Sequence, residues 1–307
     1  MSEFSEFYVP SSDNAKLHSR LRVPSTARRT ASGDLGVFII CHGLLDTKHA
    51  PLFTGLQEML PYASVSFDFR GSGHSTGITN YGNYLEEAED IKHMVEYVNS
   101  GKLDAMAGGR QLRVIGIIGH SKGGSSMFLF AAKYQTLCPE LLVNLSARYW
   151  LAQEIAGRWK QHHLEALETE GTFMWRIFGG PQKTGGRKSV DDGYEGLSSV
   201  DGVPEREYWV TREHLDTRNN TDMSVVQRLG LQRCFVLNIM GEKDRVVPER
   251  DVWQYDRVMR LAAPDNTRVT TKVVENASHF WSKPFELQAV NEILNSWLTT
   301  VVPLAKL

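Results

Sequence analysis

The chain has 307 residues, of which 41% are hydrophobic and 23% are charged, and its formal net charge is −2. These proportions are ordinary for a globular protein with a sizeable core, and the length suits one α/β domain that carries an insertion. A charge this close to neutral gives no field for holding nucleic acid or anionic lipid, which argues against both as partners. Three cysteines are too few for a disulfide framework.

The N-terminal stretch MSEFSEFYVP is acidic and lacks the apolar run of a secretory signal, so we expect a cytoplasmic protein. No apolar run approaches the roughly 18 residues that a membrane span needs. Histidines and carboxylates nowhere follow the spacings of metal ligands, so we expect no metal. The sequence leaves a homodimer open.

In the first half of the chain, short apolar runs alternate with amphipathic stretches. Apolar or alternating runs predict strands, and a 3.6-residue period of apolar positions predicts helices. In chain order we expect a strand over 16–23, a strand over 36–41, a helix over 51–60, a strand over 63–69, a helix over 83–98, a strand over 114–118, a helix over 125–134 and a strand over 141–145.

The alternation stops after residue 147 and returns near residue 234. The segment between is rich in aromatic and charged residues, and the regular pattern resumes with strands over 234–240 and 268–275 and helices over 251–261 and 284–298. Alternating strands and helices favour a parallel sheet covered on both faces. We therefore expect a core domain made of 1–147 and 216–307, with 148–215 inserted as a cap or lid.

Residues 119–124 read Gly-His-Ser-Lys-Gly-Gly and match the motif G-x-S-x-G. In that motif a serine sits on a sharp strand-to-helix turn, and the predicted strand and helix flank it as the motif requires. Ser121 is therefore the candidate nucleophile, with Gly119, His120 and Gly123 forming its turn. Neither common glycine-rich nucleotide-binding signature fits these residues.

A serine nucleophile needs a base, and the base needs a group that orients it. His279 follows the predicted strand over 268–275, and Asp244 follows the strand over 234–240. Since ligands bind beyond the carboxyl ends of parallel strands, these loops should meet the Ser121 loop at one edge of the sheet. Glu242 is the alternative acid.

The reaction also needs two backbone N–H groups to stabilise the oxyanion. The residue after the nucleophile supplies one, here Lys122. The loop that follows the strand over 36–41 should supply the other, and we assign it to Leu44.

At these motifs the chain resembles capped serine hydrolases of the α/β-hydrolase fold, a group of esterases and serine-aminopeptidase-like hydrolases. Within that group it is most similar to the cinnamoyl/feruloyl-type esterases. The resemblance covers about 16–147 and 220–300, and the motifs that carry it are His42-Gly43-Leu44, DFRGSGHS at 68–75, the serine motif at 119–124, the loop 241–248 and Ser278-His279.

This resemblance implies a mostly parallel eight-stranded sheet with helices on both faces and a cap after the sixth strand. It also implies a Ser121–Asp244–His279 triad, ester hydrolysis without a cofactor, and a structural role for 68–75. Lys122 departs from the pattern, because these esterases usually have an uncharged residue there. We expect its side chain to pair with a carboxylate; alternatively, its ammonium faces the pocket and favours anionic substrates.

The expected function is hydrolysis of carboxylic esters with small to medium acyl or aryl groups. A peptidase acting on N-terminal residues is an alternative, with Glu165, Glu168 and Glu170 available to hold an α-ammonium group. A thioester or carbon–carbon-bond hydrolase, and a non-catalytic binding protein on the same fold, also remain open.

Overall fold

A computed structural model describes residues 4–153, 158–179 and 202–307. The strands in these ranges are β1 (Phe4–Pro10), β2 (Lys16–Arg22), β3 (Leu35–Cys41), β4 (Ala63–Phe67), β5 (Leu112–His120), β6 (Leu141–Leu145), β7 (Thr172–Phe178), β8 (Arg206–Thr211), β9 (Phe235–Gly241) and β10 (Val269–Val274). Eight of them form one sheet in the order β1-β2-β4-β3-β5-β6-β9-β10, while β7 and β8 form a separate hairpin.

The sheet is parallel except around β2, which runs antiparallel to both of its neighbours, β1 and β4. The central strands β3, β6 and β9 are buried at every position. Continuous apolar strands of this kind are typical of parallel sheets that are covered on both faces. The predicted mostly parallel eight-stranded sheet is confirmed.

The described residues contain seven α-helices, five of which pack on the faces of the sheet. The seven are α1 (Pro51–Met59), α2 (Tyr84–Asn99), α3 (Lys122–Lys133), α4 (Gln161–Thr169), α5 (Arg212–Asn220), α6 (Glu249–Ala262) and α7 (Pro284–Ala305). Side chains of α2, α3 and α6 pack in the hydrophobic cluster on one face of the sheet. Those of α1 and α7 pack in the cluster on the opposite face. Among the described residues, no helix combines the length and the apolar character that a membrane span requires.

Among the strands of the large sheet and the helices that cover it, two differ most from the sequence-based expectation. Strand β1 was not predicted, because only Phe7 and Val9 of its seven residues are buried and its apolar pattern is weak. Pairing with β2 along its whole length stabilises it instead. Helix α7 continues past the predicted end at 298, although Thr299, Thr300, Val301 and Val302 are β-branched residues with low helix propensity. Burial of Val301 against the sheet outweighs that preference.

Between β6 and β9 the chain leaves the sheet and forms α4, β7, β8 and α5; we call this segment, 146–234, the insertion. Its hairpin builds a small aromatic cluster that also includes Leu45, from the loop after β3, and Tyr81, from the loop after β4. The buried members from the hairpin are Phe173, Trp175, Phe178, Tyr208 and Val210. The predicted boundary at 215 falls inside α5. Residues 154–157 and 180–201 of the predicted cap lie outside the described residues.

Candidate active site

Ser121 occupies the tight turn between β5 and α3. Its backbone has φ 52° and ψ −120°, a conformation that non-glycine residues rarely adopt. A Cβ atom at Gly119 would come within 2.6 Å of Gly124 Cα, and one at Gly123 within 2.3 Å of the His42 carbonyl oxygen. Both positions therefore require glycine, and the close packing holds the serine in its strained turn.

The structure brings Ser121, His279 and Asp244 into one hydrogen-bonded chain. His279 Nε2 lies 3.0 Å from Ser121 Oγ, and His279 Nδ1 lies 2.7 Å from Asp244 Oδ2. His279 is on the loop after β10, and Asp244 is on the loop after β9. If Nδ1 carries the hydrogen and donates it to the carboxylate, Nε2 is left to accept the serine proton.

The carboxylate of Asp244 is held from both sides. Its Oδ1 accepts hydrogen bonds of 2.8 Å from the backbone N–H groups of Val246 and Val247, while Oδ2 faces His279. Burial alone would raise the pKa of Asp244, but His279 and these backbone donors lower it below its ordinary value. Glu242, the alternative acid, is exposed and accepts a hydrogen bond from the backbone of Asn276 instead.

Two buried histidines support the backbone around the triad. The Nε2 group of His120 donates to the carbonyl oxygen of His279 at 2.9 Å. His42 accepts a hydrogen bond from the N–H of Phe69 at Nε2 and donates from Nδ1 to the Gly43 carbonyl oxygen. Burial lowers the pKa of His42 to about 4 and that of His120 to about 3, so both rings are neutral near pH 7.

A cavity of about 30 Å³ opens at Ser121, with Leu44 and Lys122 in its wall. This volume holds only one or two water molecules. Lys122 is the first residue of α3, so its backbone N–H has no partner in the preceding turn of the helix. The two predicted oxyanion donors thus lie on the same cavity as the candidate nucleophile.

The side chain of Lys122 is buried in a polar pocket and paired with a carboxylate. Its Nζ lies 2.7 Å from Glu87 Oε1 and 3.1 Å from the Asn80 carbonyl oxygen, and it also contacts Asn83. The remaining Glu87 oxygen accepts a hydrogen bond from Ser126. The expected pairing of Lys122 with a carboxylate is confirmed.

The loop 68–75 supports the site through buried ion pairs. Asp68 accepts hydrogen bonds from both the backbone and the side-chain nitrogen of Lys48, and both side chains of this pair are fully buried. The guanidinium group of Arg70 donates hydrogen bonds to both carboxylate oxygens of Asp90, at 2.8 and 3.0 Å. These contacts anchor the loop to α2 and to the segment before α1, which fits the expected structural role.

His18, Asp68 and His74 are the one group of side chains among the described residues that is close enough to share a metal ion. Lys48 already lies among them: its Nζ is 2.7 Å from Asp68 and 2.8 Å from His18 Nδ1. An ammonium group at this position supplies the positive charge that a metal ion would bring. This arrangement does not fit a metal site.

Three arginines in the cavity wall were missed in the sequence analysis. Arg148 follows β6, Arg158 lies in the insertion, and Arg218 belongs to α5. The place of Arg148, just past the end of a central strand, was a usable signal. No local sequence feature identifies Arg158 or Arg218 as site residues, because only the folding of the insertion brings them close to Ser121.

Comparisons with known proteins agree with this architecture. The profile of a family described as alpha/beta hydrolase fold matches residues 36–282. A search of curated proteins found no match.

Several solved structures share the fold at low sequence identity. Est1E from Butyrivibrio proteoclasticus, solved with ferulic acid bound, is 17% identical with a TM-score of 0.65, covering 96% of this chain and 100% of that chain. A Pyrococcus furiosus esterase is 17% identical with a TM-score of 0.62, covering 97% and 92%. The mouse alpha/beta hydrolase domain-containing protein 10 is 15% identical with a TM-score of 0.57, covering 97% and 99%.

Proposed function

The chain belongs to the alpha/beta hydrolase fold family, and from that premise we propose that it is a serine hydrolase that cleaves carboxylic esters. Family membership and the esterase neighbours support hydrolysis as the general class of activity. The observation that carries the finer proposal is the chain of contacts from Ser121 Oγ through His279 to Asp244, at 3.0 and 2.7 Å. This geometry is what a hydroxyl nucleophile, its base and an orienting acid require.

In the proposed reaction, Ser121 Oγ attacks the ester carbonyl carbon while His279 Nε2 accepts the hydroxyl proton. Asp244 keeps the imidazole in the tautomer that leaves Nε2 free to accept, and it stabilises the imidazolium that forms. The protonated His279 then gives its proton to the leaving alcohol, and the acyl group remains on Ser121. Water repeats the sequence and releases the carboxylic acid.

The backbone N–H groups of Leu44 and Lys122 are the proposed oxyanion donors. Both residues line the cavity at Ser121, and the loop that carries Leu44 follows β3, directly beside β5 in the sheet. Loss of one such donor typically costs about two to three powers of ten in turnover.

Access to Ser121 sets the size of the substrate. A cavity of about 30 Å³ is far smaller than a medium acyl or aryl group, so we propose that the insertion acts as a lid that opens to admit the substrate and then closes over it. The ferulic acid bound to the Butyrivibrio protein makes an aryl acid a reasonable first choice for the acyl group.

The peptidase alternative receives no support from the site. Glu165 and Glu168 are exposed on α4, Glu170 is exposed just after it, and none of the three lines the cavity at Ser121. The charged residues that line it in the described part of the chain are cationic, and these would repel an α-ammonium group.

Turnover of 4-nitrophenyl esters by the wild type and by Ser121→Ala tests the proposal. We expect the variant to lose about four to six powers of ten in kcat and all labelling by a fluorophosphonate probe. A residual rate within tenfold of the wild type would refute the assignment of Ser121. An unlabelled, inactive wild type would favour a non-catalytic binding protein.

A further inference from the structure

The cavity at Ser121 has an unusually cationic wall. The ten described residues that line it include Lys122 and the three arginines at 148, 158 and 218, and none of these ten is a carboxylate. Apart from Ser121, the other described wall residues are apolar or phenolic. A site built only to bind neutral esters has no use for guanidinium groups, because buried charge is costly unless something compensates it.

The positive charge of Lys122 is neutralised within the protein. Its ammonium and the carboxylate of Glu87 form a buried pair at 2.7 Å, so together they add little net charge to the cavity. The positive character of the cavity therefore comes from the arginines.

Arg218 is the most buried of the three arginines, with only 4% of its surface exposed. Its guanidinium donates to the Leu151 carbonyl oxygen and to Asn219 Oδ1, and it lies 5.3 Å from the centre of the Tyr81 ring. All of these partners are neutral, and no carboxylate in the described part of the chain lies within ion-pair distance of Arg218.

Arg148 and Arg158 are held in place at the same cavity. Arg148 donates to the backbone carbonyls of Trp150, Gln153 and Val246, which fixes the plane of its guanidinium. Arg158 donates to the hydroxyl of Tyr81 at 2.6 Å.

The effect of this positive charge is visible at Tyr81. Burial alone would raise the pKa of its hydroxyl, but the charges of Arg158 and Arg218 outweigh burial and lower the pKa below its ordinary value. The site thus favours negative charge on groups that enter it.

We propose that the enzyme selects esters that carry a second, non-reacting carboxylate, which Arg158 and Arg218 bind beside Ser121. This inference rests on the proposed function and adds the substrate class to it. Arginine suits this role because its planar guanidinium group can donate two parallel hydrogen bonds to one carboxylate. These charge-assisted hydrogen bonds are strong where water is excluded.

The test compares esters that differ only in that charge. One pair is the 4-nitrophenyl monoester of adipic acid and its methyl-capped neutral counterpart, which place the carboxylate on the acyl side. The other pair is the acetate ester of 4-hydroxybenzoate and that of 4-hydroxybenzamide, which place it on the leaving group. We expect kcat/KM for the anionic ester to exceed that of its partner about 10- to 100-fold in one pair, which identifies the side that the arginines bind.

Arg158→Gln and Arg218→Gln should each lower this anionic-to-neutral ratio about tenfold. Arg212→Gln is the matched control: it removes a charge from the same helix as Arg218, but Arg212 is exposed and does not line the cavity. It should leave the ratio unchanged. If Arg218→Gln fails to fold, the anionic-to-neutral ratio of Arg158→Gln tests the proposal, because Arg158 is only half-buried.

If the anionic ester of each pair has a kcat/KM no higher than that of its neutral partner, and Ser121 still hydrolyses the neutral esters, this inference is overturned. The proposed function would remain intact. Equal effects of all three arginine variants on the ratio would also overturn it. Failure to hydrolyse any of the four esters would overturn the proposed function and this inference with it.

Discussion

His120 and His279 are joined directly across the candidate site. The Nε2 group of His120 donates to the main-chain carbonyl of His279 at 2.9 Å, and the two ring centroids are 4.9 Å apart. His120 precedes the nucleophile in sequence, so one buried side chain ties the serine turn to the loop that carries the base. We infer that His120 is a positioning residue.

Replacement of His120 should therefore affect kcat more than KM. We expect His120→Ala to lower kcat about 10- to 100-fold, because small displacements of catalytic groups are costly. His120→Gln should restore most of the loss, since its amide nitrogen can reach the same carbonyl. Steady-state kinetics and the rate of fluorophosphonate labelling measure both effects. A His120→Ala enzyme within twofold of the wild type would show that this hydrogen bond does not position His279.

Asp244 and Glu242 offer a matched pair of carboxylates on one loop. Asp244→Asn keeps the shape of the side chain but favours the wrong imidazole tautomer, so we expect kcat to fall about four powers of ten. Glu242→Gln changes an exposed residue that bonds to the Asn276 backbone, and its kcat should stay within about twofold. The opposite ranking of the two variants would assign the acid to Glu242.

The Lys48–Asp68 pair should matter for stability. Both side chains are completely buried, and removal of one partner leaves an uncompensated charge in the interior. We expect Lys48→Met to lower the free energy of unfolding by about 3–5 kcal/mol, measured by urea denaturation. Lys243→Met, at an exposed lysine, serves as the control and should change it by less than about 0.5 kcal/mol. Equal effects of the two variants would contradict this account of the pair.

Buried neutral histidines should make the protein less stable in mild acid. The folded-state pKa of His120 is about 3, whereas an unfolded histidine titrates near ~6.5. The unfolded state therefore binds protons first, and the stability contributed by this group is lost as pH falls from about 6.5 towards 3. Between pH 7 and 5 this loss amounts to about 2 kcal/mol for His120, and His42, with a pKa of about 4, adds to it.

Urea denaturation at pH 7 and pH 5 measures this loss for the wild type and for His120→Gln. The variant should lose about 2 kcal/mol less than the wild type over that interval. His162→Gln, which removes an exposed histidine, should behave like the wild type. An identical loss in His120→Gln and the wild type would show that His120 does not carry this pH dependence.

The fold and the three candidate catalytic side chains could be predicted from the sequence because their signals are local. A short, mostly apolar run such as β9 is typical of a buried strand, and a serine between glycines that must remain glycines indicates the sharp turn. Strand order then follows a small set of rules, and the loops after parallel strands meet at one edge. Asp244 and His279 could therefore be placed near Ser121 before any distance was known.

What surrounds the triad was decided only by the tertiary structure. Arg158 and Arg218 lie in a segment with no regular pattern, and they reach Ser121 because α5 and the aromatic hairpin pack over the sheet edge. The partner of Lys122 also depended on packing: Glu87 lies 35 positions away, on α2. Apolar periodicity reports which face of an element is buried. The charge that a cavity presents depends on contacts between distant segments, and no local pattern encodes those contacts.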